Sequence, residues 1–336
     1  MKKLAVLMPT YNCAKYLSES IDSIVNQTYS DFDLYIYDDC STDNSTELIE
    51  NYNDDRIFYR KNEANLGISK TLNIGLEELL GNYEFIARMD ADDWAYPNRF
   101  QMQMDFMEQN PDVNLCGTQG FWLKNMGESP TSGWQYPVSY NYIRLYLLFT
   151  ASFGHSSLFF RSSFFIAKKL RYNDTIKTCE DWDLWIRVSA MGEVHNLPDF
   201  LMKYRIISTS NHRSEENKTK HFIERSKIIS NYWKTFDSNL SPEQVLEYYY
   251  ESNDSLKQNF IQKLKILINS FNQLFVNHTL DLQIEDKKKF NYLLARKIVD
   301  YRKRAKISLF NPFVWFLLLT HVKFISMPRL IKSQIN

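Results

Sequence analysis

Short apolar runs alternate with stretches of helical periodicity over the first ninety residues, and this alternation constrains the fold most strongly. Residues 4–8, 34–37, 56–59 and 83–89 are short, largely apolar runs that predict strands. Between them, apolar residues recur every three or four positions, which predicts helices, the third of them ending at Gly81. This β-α-β-α order predicts an α/β domain with a mainly parallel sheet flanked by helices.

Polar residues gather where three of these predicted strands end. They lie at residues 9–12, at Asp38 and Asp39, and at residues 90–93. In parallel sheets, ligands bind at the carboxyl ends of the strands, so these clusters are predicted to share one binding edge. Neither a G-x-G-x-x-G nor a G-x-x-x-x-G-K motif follows the first strand, which disfavours a dinucleotide site and a P-loop.

Asp90 and Asp92 stand two residues apart directly after the predicted fourth strand. An extended chain points both carboxylates to one side, where they suit Mg²⁺ or Mn²⁺ bound to a diphosphate. If the chain turns there instead, Asp93 takes the place of one of these two aspartates at the metal. A lone pair of this type more often only builds a turn, and Pro97 at the first position of a helix would favour that alternative.

A second acidic pair, Glu180 and Asp181, precedes apolar residues at helical spacing and is predicted to begin a helix. The helix dipole stabilises carboxylates at that end, and a carboxylate beside a sugar acceptor can act as a general base. The alternative is an acid that only stabilises the helix terminus. Nearer the start, Tyr11 is a candidate for stacking on a base, and Asp39 for accepting a hydrogen bond from a base or a ribose.

Four short segments, in this order and spacing, resemble family 2 glycosyltransferases with the GT-A fold, a Rossmann-like sheet flanked by helices. The resemblance covers roughly residues 1–205 and rests on 6–12 (VLMPTYN), 38–43 (DDCSTD), 88–93 (RMDADD) and 180–185 (EDWDLW). It implies an inverting enzyme that takes a sugar from a nucleoside-diphosphate donor, typically a UDP-sugar, with Mn²⁺ or Mg²⁺ as cofactor.

The resemblance implies a role for each matching position. Asp92 is expected to bind the metal together with Asp90, and Asp181 to serve as the general base. Asp39 is expected to hydrogen-bond the base, and Tyr11 to lie against it. The expected donor-binding set is Pro9, Thr10, Tyr11, Asn12, Asp39, Arg88, Asp90 and Asp93.

On the acceptor side, the resemblance points to His155, Glu180 and Trp182. A histidine bonded to backbone and a tryptophan in the core are the structural alternatives. Arg88 is equally suited to contact a diphosphate or to pair with a neighbouring acid. Cys40 replaces the glycine that family members usually carry after the paired acids, which puts the unusual backbone conformation expected there in question.

The character of the chain changes after about residue 210, so domains are expected at 1–210 and 211–336, the second of them helical. Residues 287–306 hold nine Lys or Arg against one acid, and an aromatic-rich apolar stretch runs through 307–327. This order predicts an anchor that lies on an anionic membrane surface. Packing of a C-terminal helix onto the first domain is the alternative.

The overall composition agrees with an enzyme that acts on glycans. The chain has 40 basic and 40 acidic residues, so no net field favours nucleic acid. Its four cysteines form no paired motif, which fits a reducing cytoplasm. The predicted function is sugar transfer to a lipid-linked glycan acceptor during O-antigen or capsule assembly, peripheral to the inner face of the cytoplasmic membrane. A sugar nucleotidyltransferase and a non-catalytic sugar- or lipid-binding scaffold are the alternatives.

Overall fold

The chain divides into two compact units in its computed structural model. The first unit comprises Met1–Leu147 and Ala151–Arg213, and the second comprises Leu148–Thr150 and Ser214–Asn336. The short segment Leu148–Thr150 therefore belongs to the second unit, although the chain on either side of it belongs to the first. The structure describes residues 2–123, 132–206, 215–236, 240–250, 259–278 and 282–307.

The first unit is built on one sheet whose first four strands are parallel. β1 (Leu4–Thr10), β2 (Phe32–Asp38), β3 (Ile57–Lys61) and β4 (Phe85–Arg88) lie in the order β3-β2-β1-β4. Every residue of β1 is buried, as expected for a central strand that is covered on both faces. The four strands confirm the prediction from the apolar runs and agree with it to within two residues at each end.

The sheet becomes mixed beyond β4. β8 (Phe159–Arg161) pairs antiparallel with β4 and with β6 (Val113–Leu123), and β6 pairs parallel with β9 (Glu193–Arg205). β5 (Trp94–Ala95) lies antiparallel to β9, and β7 (Ser132–Trp134) lies antiparallel to β6. The longest pairings remain parallel, which confirms the predicted α/β class with a mainly parallel sheet.

The helices of the first unit pack their apolar faces against this sheet. α1 buries Leu17, Ile21 and Ile24 in the main core, and these residues follow the predicted spacing. Gly81 follows α3 at φ +89°, the left-handed conformation in which glycine commonly ends a helix. The helices are α1 (Ala14–Val25), α2 (Ser45–Glu50), α3 (Ile68–Leu79), α4 (Arg99–Gln109), α5 (Tyr140–Leu147), α6 (Ser162–Ala167) and α7 (Glu180–Met191).

The described part of the second unit is helical. Phe149 is buried in its core, and the ring centroids of Trp233 and Phe271 lie 5.5 and 5.6 Å from its own. Trp233 also donates its indole N–H to the Leu148 carbonyl at 2.8 Å, so this inserted segment is part of the unit's hydrophobic core. The helices are α8 (Glu215–Lys234), α9 (Pro242–Tyr249), α10 (Phe260–His278) and α11 (Ile284–Arg304).

Two predictions concern a membrane surface. Among the residues that the structure describes, no helix has the length and apolar character needed to cross a membrane. The basic segment 287–306 falls mainly on α11, whereas the apolar segment 307–327 lies outside the described residues except for its first position. The surface anchor therefore stays a prediction.

Candidate active site

An acidic turn follows β4 at the carboxyl end of that strand. Asp90 and Asp92 are half-buried and Asp93 is buried, and their carboxylate oxygens lie within 4.8 Å of one another. We call these three residues the acidic cluster. Like charges repel strongly at this separation when little water screens them. Pro97 does not stand at the first position of the next helix, as the alternative of a structural turn would have it, because α4 starts two residues later, at Arg99.

Asp93 fastens the turn to two other elements of the first unit. Its Oδ1 accepts the backbone N–H of Arg205 on β9 at 2.9 Å, and its Oδ2 contacts the hydroxyl of Ser156 in a short 3-10 helix. The residue is 1% exposed, and burial followed by the charges of the neighbouring aspartates raises the pKa of Asp93 well above its usual range. Both of its oxygens therefore hold the turn together, and the predicted donor-binding role of Asp93 stays a prediction.

Arg88 is buried beside the acidic cluster and pairs with Asp90. It is 2% exposed, forms an ion pair with Asp90 Oδ2, and donates from Nη1 to Ser156 Oγ at 3.0 Å. Burial is the largest single effect and disfavours an ionised Asp90, but the charge of Arg88, together with His155 and the hydrogen bonds from Arg88 and Ser156, lowers the pKa of Asp90. Of the two predicted roles for Arg88, pairing with an acid is the one observed. A direct diphosphate contact does not fit a side chain buried to this extent.

Asp92 is the member of the acidic cluster whose carboxylate remains available. Within the described part of the chain, no other residue hydrogen-bonds its oxygens. Burial, followed by the charge of Asp90, raises the pKa of Asp92 to about 7. A divalent cation relieves repulsion of this kind, and carboxylate oxygens are the ligands that Mg²⁺ and Mn²⁺ prefer. Asp92 and Asp90 therefore fit the metal that was predicted for them.

The second acidic pair stands at the N-terminus of α7, as the sequence predicts. The helix begins after Cys179, whose φ of +68° turns the chain, and Asp181 Oδ1 accepts the N–H of Trp182 at 2.6 Å. Burial, followed by the charge of Asp181, raises the pKa of Glu180 to about 8. Glu180 therefore holds a proton near neutral pH. The start of α7 lies near the acidic cluster, because the Trp185 ring centroid is 6.1 Å from that of His155 and the next residue, Ser156, hydrogen-bonds Asp90.

Tyr172 and His155 lie close to both groups of acids. The Tyr172 hydroxyl is 2.8 Å from His155 Nε2. Burial raises the pKa of Tyr172, and the charges of Asp181, Glu180 and Asp90 raise it further. Burial also lowers the pKa of His155 well below its usual range, so the imidazole is neutral. The predicted acceptor-side residue His155 is thus a neutral hydrogen-bonding group between the two acidic sites.

Trp182 does not face a ligand. It is 2% exposed, and its indole N–H donates to the Leu147 carbonyl at 3.1 Å. The prediction that Trp182 lies on the acceptor side was wrong, because the first turn of α7 directs this side chain into the core. Trp185, one turn later, is buried as well, with its ring centroid 5.6 Å from that of Phe153.

The loop after β1 presents one aromatic side chain to solvent. Tyr11 is 46% exposed and is free to stack on a base. Asn12 adopts φ +51° and accepts the backbone N–H of Thr42 at 2.8 Å, which ties this loop to the one after β2. Pro9 and Thr10 are buried at the end of β1. Of these four predicted donor-site residues, Tyr11 alone pairs strong exposure with an aromatic ring, and Asn12 chiefly holds the loop.

Asp39 is buried, and its carboxylate organises the loop after β3. Its Oδ1 accepts N–H groups from Asn62 and Leu66 at 2.9 and 2.8 Å, and its Oδ2 accepts the Gly67 N–H at 2.8 Å. One acceptor position on Oδ2 is left for a nucleotide. The neighbouring Cys40 adopts φ +63°, so the left-handed conformation expected of the usual glycine is retained despite the substitution.

Three contributors to the site were missed by sequence reasoning, namely Ser156, Tyr172 and Arg205. Arg205 is 2% exposed, donates from Nε to the Asp92 carbonyl at 2.9 Å, and pairs through Nη2 with Glu19 at 2.6 Å. Ser156 had one available signal, since it stands next to a predicted site residue. Arg205 had one as well, since Tyr204 and Arg205 match a segment of the family near the end of the catalytic domain, whereas Tyr172 had none.

The chain is similar in sequence to known glycosyltransferases. The family described as glycosyl transferase family 2 matches residues 5–166. An uncharacterized glycosyltransferase of Haemophilus influenzae is 32% identical over 237 residues, which cover 67% of this chain and 73% of that protein. The O-antigen biosynthesis glycosyltransferase WbnJ of Escherichia coli is 34% identical over 222 residues, 63% of this chain and 82% of that protein.

Two solved structures share the fold. Residues 1–349 of TarS from S. aureus, solved in complex with UDP-GlcNAc, align with a TM-score of 0.59 at 17% identity over 91% of each chain. The mannosyltransferase PcManGT of Pyrobaculum calidifontis, solved with GDP-Man and Mn²⁺, aligns with a TM-score of 0.51 at 15% identity, covering 95% of this chain and 87% of that one. At such identities, the likeness concerns the fold alone.

The α/β fold, the acidic turn at the end of β4 and the acidic start of α7 together define a glycosyltransferase with a GT-A fold. The chain belongs to glycosyl transferase family 2. Membership of this family decides against the sugar nucleotidyltransferase and the non-catalytic scaffold that the sequence alone left open.

Proposed function

We propose that this glycosyltransferase moves a sugar from a nucleoside-diphosphate donor, UDP-linked, to a hydroxyl of a glycan acceptor during surface polysaccharide assembly. The observation that carries the proposal is the meeting of two acidic sites: the available Asp92 carboxylate after β4, and the Glu180–Asp181 pair at the start of α7. The names of two similar proteins give support, since WbnJ is an O-antigen glycosyltransferase and TarS was solved with UDP-GlcNAc.

Asp92 and Asp90 are the residues proposed to hold Mn²⁺ or Mg²⁺. A bound divalent cation would neutralise charge on the departing nucleoside diphosphate, which is commonly a large part of the rate enhancement. Arg88 and Ser156 orient Asp90 through its Oδ2, and Arg205 holds the backbone carbonyl of Asp92. These contacts fix the Asp90 carboxylate and the backbone of Asp92 before any ligand arrives, so little reorganisation of the turn is needed on binding.

Asp181 is proposed to remove the proton from the acceptor hydroxyl. A protonated Glu180 can donate a hydrogen bond but cannot accept that proton, so the base of the pair is assigned to Asp181. The neutral His155, held by Tyr172, is proposed to hydrogen-bond the acceptor or the diphosphate. Attack by the deprotonated oxygen as the diphosphate leaves is a single displacement, and it inverts the anomeric configuration.

The nucleotide is proposed to lie against the loops after β1 and β2. Tyr11 supplies an exposed ring for the base, and the remaining acceptor position on Asp39 Oδ2 suits an N–H of uracil. Pro9 and Thr10, which are buried at the end of β1, are proposed to border this nucleotide site.

The experiment that tests the base assignment compares Asp181→Asn with Asp183→Asn. Asp183 lies in the same helical turn, where it pairs with Arg187 at 2.6 Å, so its substitution is a matched control. Metal-dependent release of UDP from a panel of UDP-sugars is measured, with water or added glycans as acceptor. We expect Asp181→Asn to lose about 10²- to 10⁴-fold in rate, the usual contribution of a general base, and to keep its affinity for UDP and Mn²⁺. Near-normal turnover in Asp181→Asn would show that Asp181 is not the general base.

The acceptor is proposed to be lipid-linked and reached at the inner face of the cytoplasmic membrane. The support is the excess of basic residues in 287–306, nine against one acid, followed by the apolar segment 307–327. Removal of residues 307–336 should then release the protein from membrane fractions, and unchanged partitioning would reject this anchor.

A further inference from the structure

The second unit gathers basic side chains from two helices near the end of α9. Arg225 lies on α8, and Lys297 and Arg304 lie on α11. Lys297 and Arg304 are seven residues apart, two helical turns, so they share one face of α11. Tyr249, the last residue of α9, contacts this face, since Lys297 Nζ lies 5.4 Å from its ring centroid. We call Arg225, Lys297 and Arg304 the basic cluster.

The Lys297 side chain is not directly bonded to an acid among the described residues. Within the described part of the chain, its ammonium forms no hydrogen bond or ion pair and contacts the face of the Tyr249 ring instead. Burial, followed by the charge of Arg225, lowers the pKa of Lys297 to about 8. The folded chain therefore holds this ammonium in surroundings that disfavour its charge.

Two further donors at this place lack acceptors among the described residues. Arg304 donates from Nη2 to the Tyr248 carbonyl, but its buried Nε has no hydrogen-bond partner there. The buried hydroxyl of Tyr249 has none either. Buried donors are nearly always satisfied in folded proteins, so unsatisfied donors beside an ammonium indicate a ligand that accepts hydrogen bonds.

One described acid acts on both Lys297 and Arg304, and it does not balance their two charges. Asp300 acts on both Lys297 and Arg304. Its carboxylate also lies 4.0 Å from Arg296, so it is shared with a further cation on the same helix. Asp300 therefore does not neutralise Lys297 and Arg304 among the described residues, and an anion is the partner that would.

We propose that the basic cluster, together with the Tyr249 hydroxyl, binds a phosphate group. A phosphate offers several acceptor oxygens and enough negative charge to serve an ammonium, a guanidinium and a hydroxyl at once. A phospholipid headgroup and a soluble phosphate or diphosphate present the same chemistry. The site stands apart from the proposed sugar transfer, because none of its residues belongs to the acidic cluster or to the Glu180–Asp181 pair.

The test titrates inorganic phosphate and pyrophosphate into the full chain by calorimetry, with EDTA present so that no metal recruits phosphate to the acidic cluster. We expect saturable binding that Lys297→Gln weakens by about tenfold or more, since it removes a charge-assisted contact. Lys303→Gln is the matched control, because Lys303 is exposed on the same helix and carries the same charge. A wild-type chain without saturable binding, or an equal loss in Lys303→Gln, would overturn the proposal.

Tyr249→Phe tests the site with little risk to folding, because the ring stays and only the hydroxyl goes. Removing an unsatisfied buried hydroxyl should raise the melting temperature measured without phosphate. Added phosphate should then raise the melting temperature of the variant by less than it raises that of wild type. A variant that gains as much from phosphate as wild type would exclude the hydroxyl from the site. Asp181→Asn should bind phosphate like wild type, so this proposal and the proposed function can fail separately.

Vesicles distinguish the two sources of phosphate. Binding to phosphatidylglycerol vesicles that depends on Lys297, and that free phosphate competes away, would support a headgroup. Binding of soluble phosphate or pyrophosphate with no effect of Lys297→Gln on vesicle binding would support a soluble ligand. Phosphatidylcholine vesicles report binding that needs no net negative charge, and Lys297-independent binding to all of these probes would overturn the proposal.

Discussion

The acidic cluster of the first unit and the basic cluster of the second both hold like charges in half-buried surroundings. They differ in how much compensation the chain itself supplies. The acidic cluster has Arg88, Ser156 and Arg205 bonded to it, and within the described residues only the Asp92 side chain lacks such a partner. In the basic cluster, the described acid that acts on Lys297 and Arg304 is Asp300, whose carboxylate also lies near Arg296. The difference indicates a rigid site for one cation in the first unit and a site that is completed by its anion in the second.

The largest effect is expected from Asp92→Asn. Because Asp92 carries the available carboxylate, the change should lower Mn²⁺-dependent donor turnover by about 10²-fold or more, the scale of a lost electrostatic contact to the leaving group. It should also raise the stability of the metal-free protein, since it removes a buried carboxylate that the charge of Asp90 disfavours. Calorimetric titration with UDP and Mn²⁺ and urea unfolding measure the two effects.

Asp112→Asn is the control for this change, because Asp112 is exposed in the turn before β6. It should alter neither turnover nor stability. If Asp92→Asn left the titration with UDP and Mn²⁺ unchanged, the acidic cluster would be a structural turn. The acidic cluster could then no longer be compared with the basic cluster as a site for a ligand of opposite charge.

The two clusters also differ in how far each can be predicted from the sequence. Asp90, Asp92 and Asp93 are contiguous and follow a strand with a clear apolar period, so both the strand and the cluster were predicted. The basic cluster joins residues from separate helices, and no local pattern relates Arg225 to Lys297. The same limit applies within the first site, where Asp93 is bonded to Arg205, 112 residues away.

The fold shows the same division between local and distant causes. β1 to β4 and their helices were predicted because period and length are properties of a short segment. β5 and β8 span two and three residues, too few to show any period, and pairing with β9 and with β4 and β6 defines them. Trp182 illustrates a wrong prediction of this kind, since its motif indicated a ligand and packing against Leu147 decided its place.

A smaller effect is expected from Ser156→Ala, which tests whether the acidic cluster is held rigid by the chain. The Ser156 hydroxyl contacts both Asp90 and Asp93, so its loss should lower the free energy of unfolding by about 1–3 kcal/mol. Ser162→Ala is a close control, because Ser162 is equally buried and its hydroxyl has no partner among the described residues. Equal effects of the two changes in urea unfolding would contradict this account of the cluster.

The smallest effect concerns the pH dependence of the basic cluster. The pKa of Lys297 is about 8 in the folded chain against an ordinary value of 10.5. Between these values the unfolded chain binds a proton that the folded chain does not, so stability rises with pH. From pH 7 to pH 9 the rise should be about 1 kcal/mol, and it should be absent in Lys297→Gln. The charged or titratable groups that act on or contact Lys297 are Arg225, Tyr249, Arg296, Asp300 and Arg304.

Adding phosphate makes the rise in stability between pH 7 and pH 9 a test of whether the basic cluster, like the acidic cluster, has a specific ligand. An anion in the basic cluster stabilises the protonated ammonium and raises the pKa of Lys297, so added phosphate should flatten the rise between pH 7 and pH 9. The measurement is urea unfolding of wild type and Lys297→Gln at both pH values, with sodium phosphate or with sodium chloride at equal ionic strength. If chloride flattened the rise as much as phosphate, general screening would explain it and the basic cluster would have no specific ligand. If phosphate but not chloride flattened the rise in stability, the basic cluster would be the counterpart of the acidic cluster, because each would be stabilised by a ligand of opposite charge.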